Sequence, residues 1–152
     1  MANVLDVAAY VLGKTGDVST MKLQKLVYYS QAYHFVKTGR PLFSEAVEAW
    51  ANGPVVPELF AQHRGIYVIN QQDLPNARAN HIQGEEAHTI DHVIEVLGCL
   101  TGAQLSDLTH SESPWRDARY GLPEGARSRS PIELTAMRNF YSSPACSNPV
   151  FA

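Results

Sequence analysis

Charge, cysteine and long apolar runs are all scarce in this chain of 152 residues, and each scarcity closes off a class of function. Charged residues make up 18%, against about 25% in an average soluble protein, and the formal net charge is −3. The chain is therefore no bulk polycation, and a general phosphate-binding surface of the kind that grips nucleic acid is not expected. The two cysteines, Cys99 and Cys146, stand in no CxxC or other metal-type spacing, which argues against a disulfide framework. Free thiols are the default for both in a reducing compartment. No run of about 18 apolar residues occurs and no basic stretch leads into an apolar one at the N-terminus, so neither a membrane span nor a secretory signal is read, and the chain is expected in the cytoplasm. P-loop, GxGxxG and HExxH patterns are missing too, so no cofactor and no metal is expected. There is no internal repeat.

What is present is enough apolar material for one core. At 45% hydrophobic, and at a length that hides about 68 to 70% of the unfolded chain's surface, the chain can fold without metals or disulfides. Its charge is unevenly spread: residues 1 to 40 carry +3, residues 41 to 112 carry −8, and residues 113 to 152 carry +2. Solvated helix faces account for this plainly. The sharper alternative is that the acidic stretch meets a basic protein partner or mimics nucleic acid.

Element by element, the pattern is mainly helical. Asn3 caps a first helix with Val4, Ala8, Val11 and Leu12 on its apolar face; an apolar surplus there allows a homo-oligomer. Ser19 or Thr20 opens a second helix to about Lys37, with Gly39 and Pro41 as stop signals. At 100° per residue its apolar side chains occupy nearly every direction, leaving a narrow polar sector near Ser30 and Lys37, where His34 also falls. Such a helix must be surrounded. The fold class is accordingly a compact single-domain helical bundle around a central buried helix at about 19–37, with a short β or extended insert near 43–51.

Asn52, Gly53 and Pro54 read as a turn, with a helix from Val55 to about His63 behind it. Residues 64 to 84 read as loop with one short strand at most. A helix from Glu85 directs Ile90, Val93, Ile94, Leu97 and Leu100 inward and His88, His92, Glu95 and Cys99 outward. A short helix follows near Ala103 to Leu108, and Ser113 then caps the turn that carries Trp115 into the core. Residues 121–130 read as an exposed loop, and Ser130, Pro131 and Glu133 give a start signal for a last helix to about Tyr141. The domain is set at 1–141, and residues 142–152 are expected to form a flexible tail.

Two groupings of chemically capable residues are weak. His88 and His92 are one helical turn apart, but HTIDH lacks the glutamate of HExxH and Cys99 is too far along to share an ion. Asp107 and His110 with Ser106 or Ser111 supply the letters of a triad without a nucleophile elbow or an oxyanion hole.

Two segments taken together are more specific: Met21 to Phe60, with KLQKLVYYSQ and a tryptophan before NGPV, and Leu105 to Arg119, with THSESPW. They resemble the Panacea domain of SocA-like type II antitoxins and phage-associated GepA-like proteins, over roughly Val4 to Tyr141. The resemblance implies a mostly helical, non-enzymatic domain encoded beside a toxin, which it neutralises by direct binding. Its alternative is a proteolytic adaptor that delivers the toxin to a ClpXP-type protease. A hydrolase using Asp107 and His110 is the reading from a different class. By motif, Lys22, Leu23, Leu26, Tyr28 and Tyr29 match the central helix, Gly53 and Pro54 the turn, and His110, Pro114 and Trp115 the last motif. These serve packing and backbone geometry more readily than contact. The expected partner surface is instead Trp50, Arg64, Tyr67, Arg116, Arg119 and Tyr120, aromatic and arginine side chains of the kind that dominate interface energetics. Nucleic acid and membrane are not expected as partners.

Overall fold

A computed structural model describes residues 1–152. Helix α2 (Thr20–Thr38) runs through the middle, and α1 (Val4–Thr15), α4 (Gly84–Leu97), α5 (Gly102–His110) and α7 (Leu134–Tyr141) pack around it, with α3 (Pro57–His63) and α6 (Ser113–Ala118) further out. The mainly helical reading holds. Two antiparallel pairs complete the fold: β1 (Val18–Ser19) with β4 (Val68–Ile69), and β2 (Glu48–Trp50) with β3 (Gly53–Val55).

The expected enclosure of α2 is complete over ten consecutive residues, Leu23 to Ala32, all of them buried. Ser19 Oγ caps its start by accepting from Lys22 N at 3.1 Å, and Gly39, at φ 74, ends it with its N–H donating to Phe35 O. The polar sector foreseen around Ser30 does not reach water, because polar side chains on this helix find partners inside. Ser30 Oγ donates to Leu26 O, and Gln31 holds the next segment by accepting from Leu42 N at 2.7 Å while donating to Phe43 O at 2.8 Å. His34, also placed in that sector, is buried with Nδ1 2.7 Å from Thr89 Oγ1. Lys37 alone of the three is exposed.

Several readings differ from the structure, each because backbone pairing or burial overrode a local signal. Ala51 and Asn52 form the hairpin turn, so Gly53 and Pro54 lie in β3 and the following helix starts at Pro57. Ser130, Pro131 and Ile132 do not open the last helix; they run along the outer edge of β2, where Ala49 N donates to Ser130 O and Ile132 N to Val47 O, and α7 begins at Leu134. The apolar face of α1 offers no oligomer surface, since Val4, Val7, Ala8, Val11 and Leu12 are all buried inside the chain.

The last correction concerns the tail, which is docked. Asn148 and Val150 are buried, and Phe151 stacks on Tyr141 at 4.3 Å between centroids. The anchor is Glu112, which stands at the α6 start where Ser113 was read as the cap, and whose carboxylate turns inward instead of capping. It accepts from Tyr29 Oη at 2.6 Å, from Tyr141 Oη at 2.8 Å and from Asn148 Nδ2 at 2.9 Å, while Tyr28 Oη lies 2.9 Å from Tyr141 Oη. Burial pushes this carboxyl above the ordinary range, against the opposite pull of its three donors. Removing it strands buried hydroxyl and amide donors, each worth about 1 to 3 kcal/mol if left unsatisfied. Glu112→Ala should therefore lower unfolding free energy by about 3 kcal/mol in urea titrations. Asn148→Ala should cost less and speed proteolysis of the tail alone; an unchanged midpoint for Glu112→Ala would refute the clasp.

Candidate functional site

Most motif residues of α2 and α6 are buried, and Lys22 is half-buried. Leu23, Leu26, Tyr28 and Tyr29 are core; Pro114 and Trp115 are buried, with Trp115 Nε1 donating to Trp50 O at 2.8 Å. His110 stacks on Trp115 at 3.9 Å and leaves its buried Nε2 without a partner. Lys22 Nζ donates to Gly98 O at 2.6 Å, placing a cation on the C-terminal end of α4 where the helix dipole favours it.

Trp115 thereby ties the β2–β3 hairpin to α6, and the hairpin walls a groove of about 980 Å³. Its other sides are the start of α2, α3 and the loop at Arg127, Ser128 and Arg129. On one wall Trp50 meets Phe60 edge to face at 4.9 Å, and the Arg64 guanidinium sits 5.5 Å above the Phe60 ring. Glu48 orients the indole by accepting from Trp50 Nε1 at 2.8 Å, and also takes Arg129 Nε at 3.2 Å. Beneath lie Gln24, Lys25 and His63, all buried. Gln24 clamps the chain before α3: its Oε1 accepts from Val56 N at 2.9 Å, so its Nε2 is the donor facing His63 Nε2 at 2.9 Å. His63 is thereby an acceptor at Nε2, and burial lowers its pKa, which suits the neutral ring.

Lys25 is the most unusual group of the groove. It is 2% exposed, its Nζ donates to Pro54 O at 3.1 Å, and it belongs to none of the molecule's ion pairs. Burial brings its pKa down to about 7. Gly53 makes room for it: at φ 118 a side chain there is strained, and a Cβ would stand 2.5 Å from Lys25 Cε. The hairpin glycine and the buried lysine are one arrangement.

The six expected contact residues separate. Trp50 and Arg64 line the groove, and Tyr67, 78% exposed, stands at its edge, where its carbonyl accepts from Thr20 N at 2.9 Å. Arg116 and Tyr120 are exposed but line no part of it. Arg119 is not a surface residue: it is 5% exposed, with Nη1 donating to Ala49 O at 3.0 Å, Nη2 to Ala126 O at 2.6 Å, and its guanidinium 5.0 Å from the Trp115 ring. Sequence reasoning missed Lys25, Phe60, Arg127 and Arg129. Lys25 was signalled by a cation on a helix without an outer face; the others carried no signal.

The triad letters do not assemble. Ser106 Oγ donates to Asn52 O and Ser111 Oγ to Leu108 O, while Asp107 is exposed and makes no hydrogen bond to His110. On α4, His92 is occupied by the tail, with Nε2 donating to Val150 O at 2.8 Å and its ring stacked on Tyr33. No helix is long and apolar enough to cross a membrane.

The family model of the antitoxin SocA-like Panacea domain matches residues 23–116, which takes in the core helix, the hairpin and THSESPW. The chain belongs to the Panacea domain family. It is also 31% identical over 109 residues to the antitoxin SocA of Caulobacter vibrioides (strain NA1000 / CB15N), an alignment covering 64% of this chain and 58% of that protein. No solved structure matches it. Lys25, Trp50, Phe60, His63 and Arg64 fall inside the matched Panacea region, whereas Arg127 and Arg129 lie beyond it.

A lysine titrating near 7 when folded and near 10.4 when unfolded gives the Panacea fold a defined pH dependence. Between those values the unfolded chain binds more protons, so this group makes stability rise with pH from about 7 toward 10, at up to about 1.4 kcal/mol per unit. Urea midpoints measured from pH 6.5 to 9 (roughly the span of the lysine's titration) should climb for the native chain and stay flatter for Lys25→Met. Parallel curves for the two proteins would contradict a desolvated amine.

Proposed function

We propose that this Panacea domain is an antitoxin that neutralises a cognate toxin by direct protein contact, acts in the cytoplasm, and has no catalytic activity of its own. The observation that carries this is the groove: an open concavity in which aromatic faces and arginines lie together on rigid elements, the composition of an interaction hot spot. Family membership supports the antitoxin role. Ser106 and Ser111 donate their hydroxyls to backbone carbonyls and neither is hydrogen-bonded to His110, which speaks against the hydrolase reading.

In this reading the antitoxin works as a shape. Its buried hydrogen bonds fix the hairpin and α3, so little ordering remains when a partner docks, and binding energy is not diverted into arranging the surface. Sequestration then suffices for neutralisation, without delivery to a ClpXP-type protease.

Co-expression with the product of the neighbouring gene tests this directly. The native chain should restore growth and co-purify with that product, and the toxin's half-life should be the same with and without the protease. Trp50→Ala with Phe60→Ala should abolish both effects, with a circular dichroism spectrum like the native one. Full rescue by the double variant would remove the groove from the interface, and a toxin that disappears only when the protease is present would replace sequestration by delivery.

A further inference from the structure

The molecule carries a net negative charge, yet its groove gathers four basic side chains: Lys25 below, and Arg64, Arg127 and Arg129 around the rim. Of these only Arg129 has an acidic partner, Glu48, which the Trp50 indole also holds. Arg64 and Arg127 are exposed and enter no ion pair. Between the cations lies the Trp50 and Phe60 pair, which favours an apolar side chain. The two features together specify an occupant.

We propose that the groove receives an acidic segment of the partner protein bearing at least one large apolar side chain, which packs on Trp50 and Phe60 while neighbouring carboxylates pair with Arg64 and Arg127. This rests on the antitoxin reading and supplies the chemistry of its partner. Arginine suits the role, since its planar fork meets a carboxylate bidentately and tolerates an apolar surround. Lys25 adds positive charge from below: with no carboxylate in reach it is uncompensated within the chain, and an acidic occupant stabilises its protonated form.

A protein segment fits better than a nucleic acid. The chain as a whole carries a net charge of −3, so a long polyanion running out beyond the groove finds no general electrostatic attraction. A groove of about 980 Å³ also has room for a few side chains and not for a phosphate track.

The test uses the full chain and a fluorescein-labelled peptide alternating glutamate with leucine and phenylalanine, against a lysine-substituted peptide of equal length and a single-stranded oligodeoxynucleotide. Anisotropy should show the acidic peptide binding most tightly, with affinity falling as salt is raised. R64E with R127E should weaken it about tenfold or more. K25M, which keeps the stem and removes the charge, should weaken it by a smaller factor; the doubly charge-reversed protein should keep the native melting curve, and K25M the native circular dichroism spectrum. Acidic-peptide binding equal in the native and charge-reversed proteins, or tighter binding of the oligonucleotide, overturns the proposal. Growth rescue separates it from the reading beneath it: if R64E with R127E still rescues, the acidic-segment proposal falls and the antitoxin stands, whereas failure of the native chain to rescue removes the antitoxin reading itself.

Discussion

The buried carboxylate of Glu112 is the constraint from which much of the remaining architecture follows. A carboxylate taken out of water is costly unless its lone pairs are filled, and here they are filled from three separate places in the chain: α2, α7 and the C-terminal tail. One side chain thus registers the last helix and the tail against the central one. Tyr28 extends the network by bonding to Tyr141, and the three rings meet edge to face at 5.2 to 6.3 Å, so the polar contacts and the aromatic packing select one geometry. Glu112 stands in the residue just before α6, and fixing it places Pro114 and Trp115 behind the hairpin.

From Trp115 the chain of dependence runs outward. Its indole donates to Trp50 O, Arg119 stacks on it while reaching Ala49 O, and the hairpin is tied to the interior through two carbonyls of β2. On the other side Lys25 takes Pro54 O, with Gly53 leaving space for its stem. A groove wall built this way is stiff because its carbonyls are all held from below. The surface then presents aromatics and guanidinium groups in fixed positions, which lowers the ordering cost of association.

Much of this was legible in the sequence because it rests on periodicity. An apolar pattern covering nearly the whole circumference of residues 19–37 can only be a central helix, and so it is. Local turn signals did the rest: Asn52 and Gly53 marked the chain reversal within a residue of its place, and Trp115 lies in the core as read. What stayed hidden depended on contacts between distant residues. The tail looked dispensable because Pro, Ser and Asn dominate it locally, and its docking is set by Glu112, 36 residues from Asn148. Ser130 and Pro131 carried a genuine helix-start signal that lost to pairing with β2, which lies about 80 residues earlier in the chain. Arg119 looked like an interface arginine since composition cannot distinguish an exposed guanidinium from one that donates to two buried carbonyls.

The charge pattern shows why linear arithmetic fails at a site. Segment totals of +3, −8 and +2 describe an acidic middle between weakly basic ends, which reads as solvated helix faces and points to no cationic site. The groove instead draws Lys25 from the first segment, Arg64 from the second, and Arg127 and Arg129 from the third. Folding has concentrated cations that the sequence disperses, while leaving the carboxylates of the middle segment spread over outer faces such as α4. Opposite charges at close range act through local geometry and within about 8 to 10 Å of screening, so the sign of a groove matters to a docking side chain more than the sign of the whole molecule. A domain with net charge −3 can therefore present a cationic mouth, keeping the repulsion that discourages non-specific polyanion binding while attracting a short acidic segment.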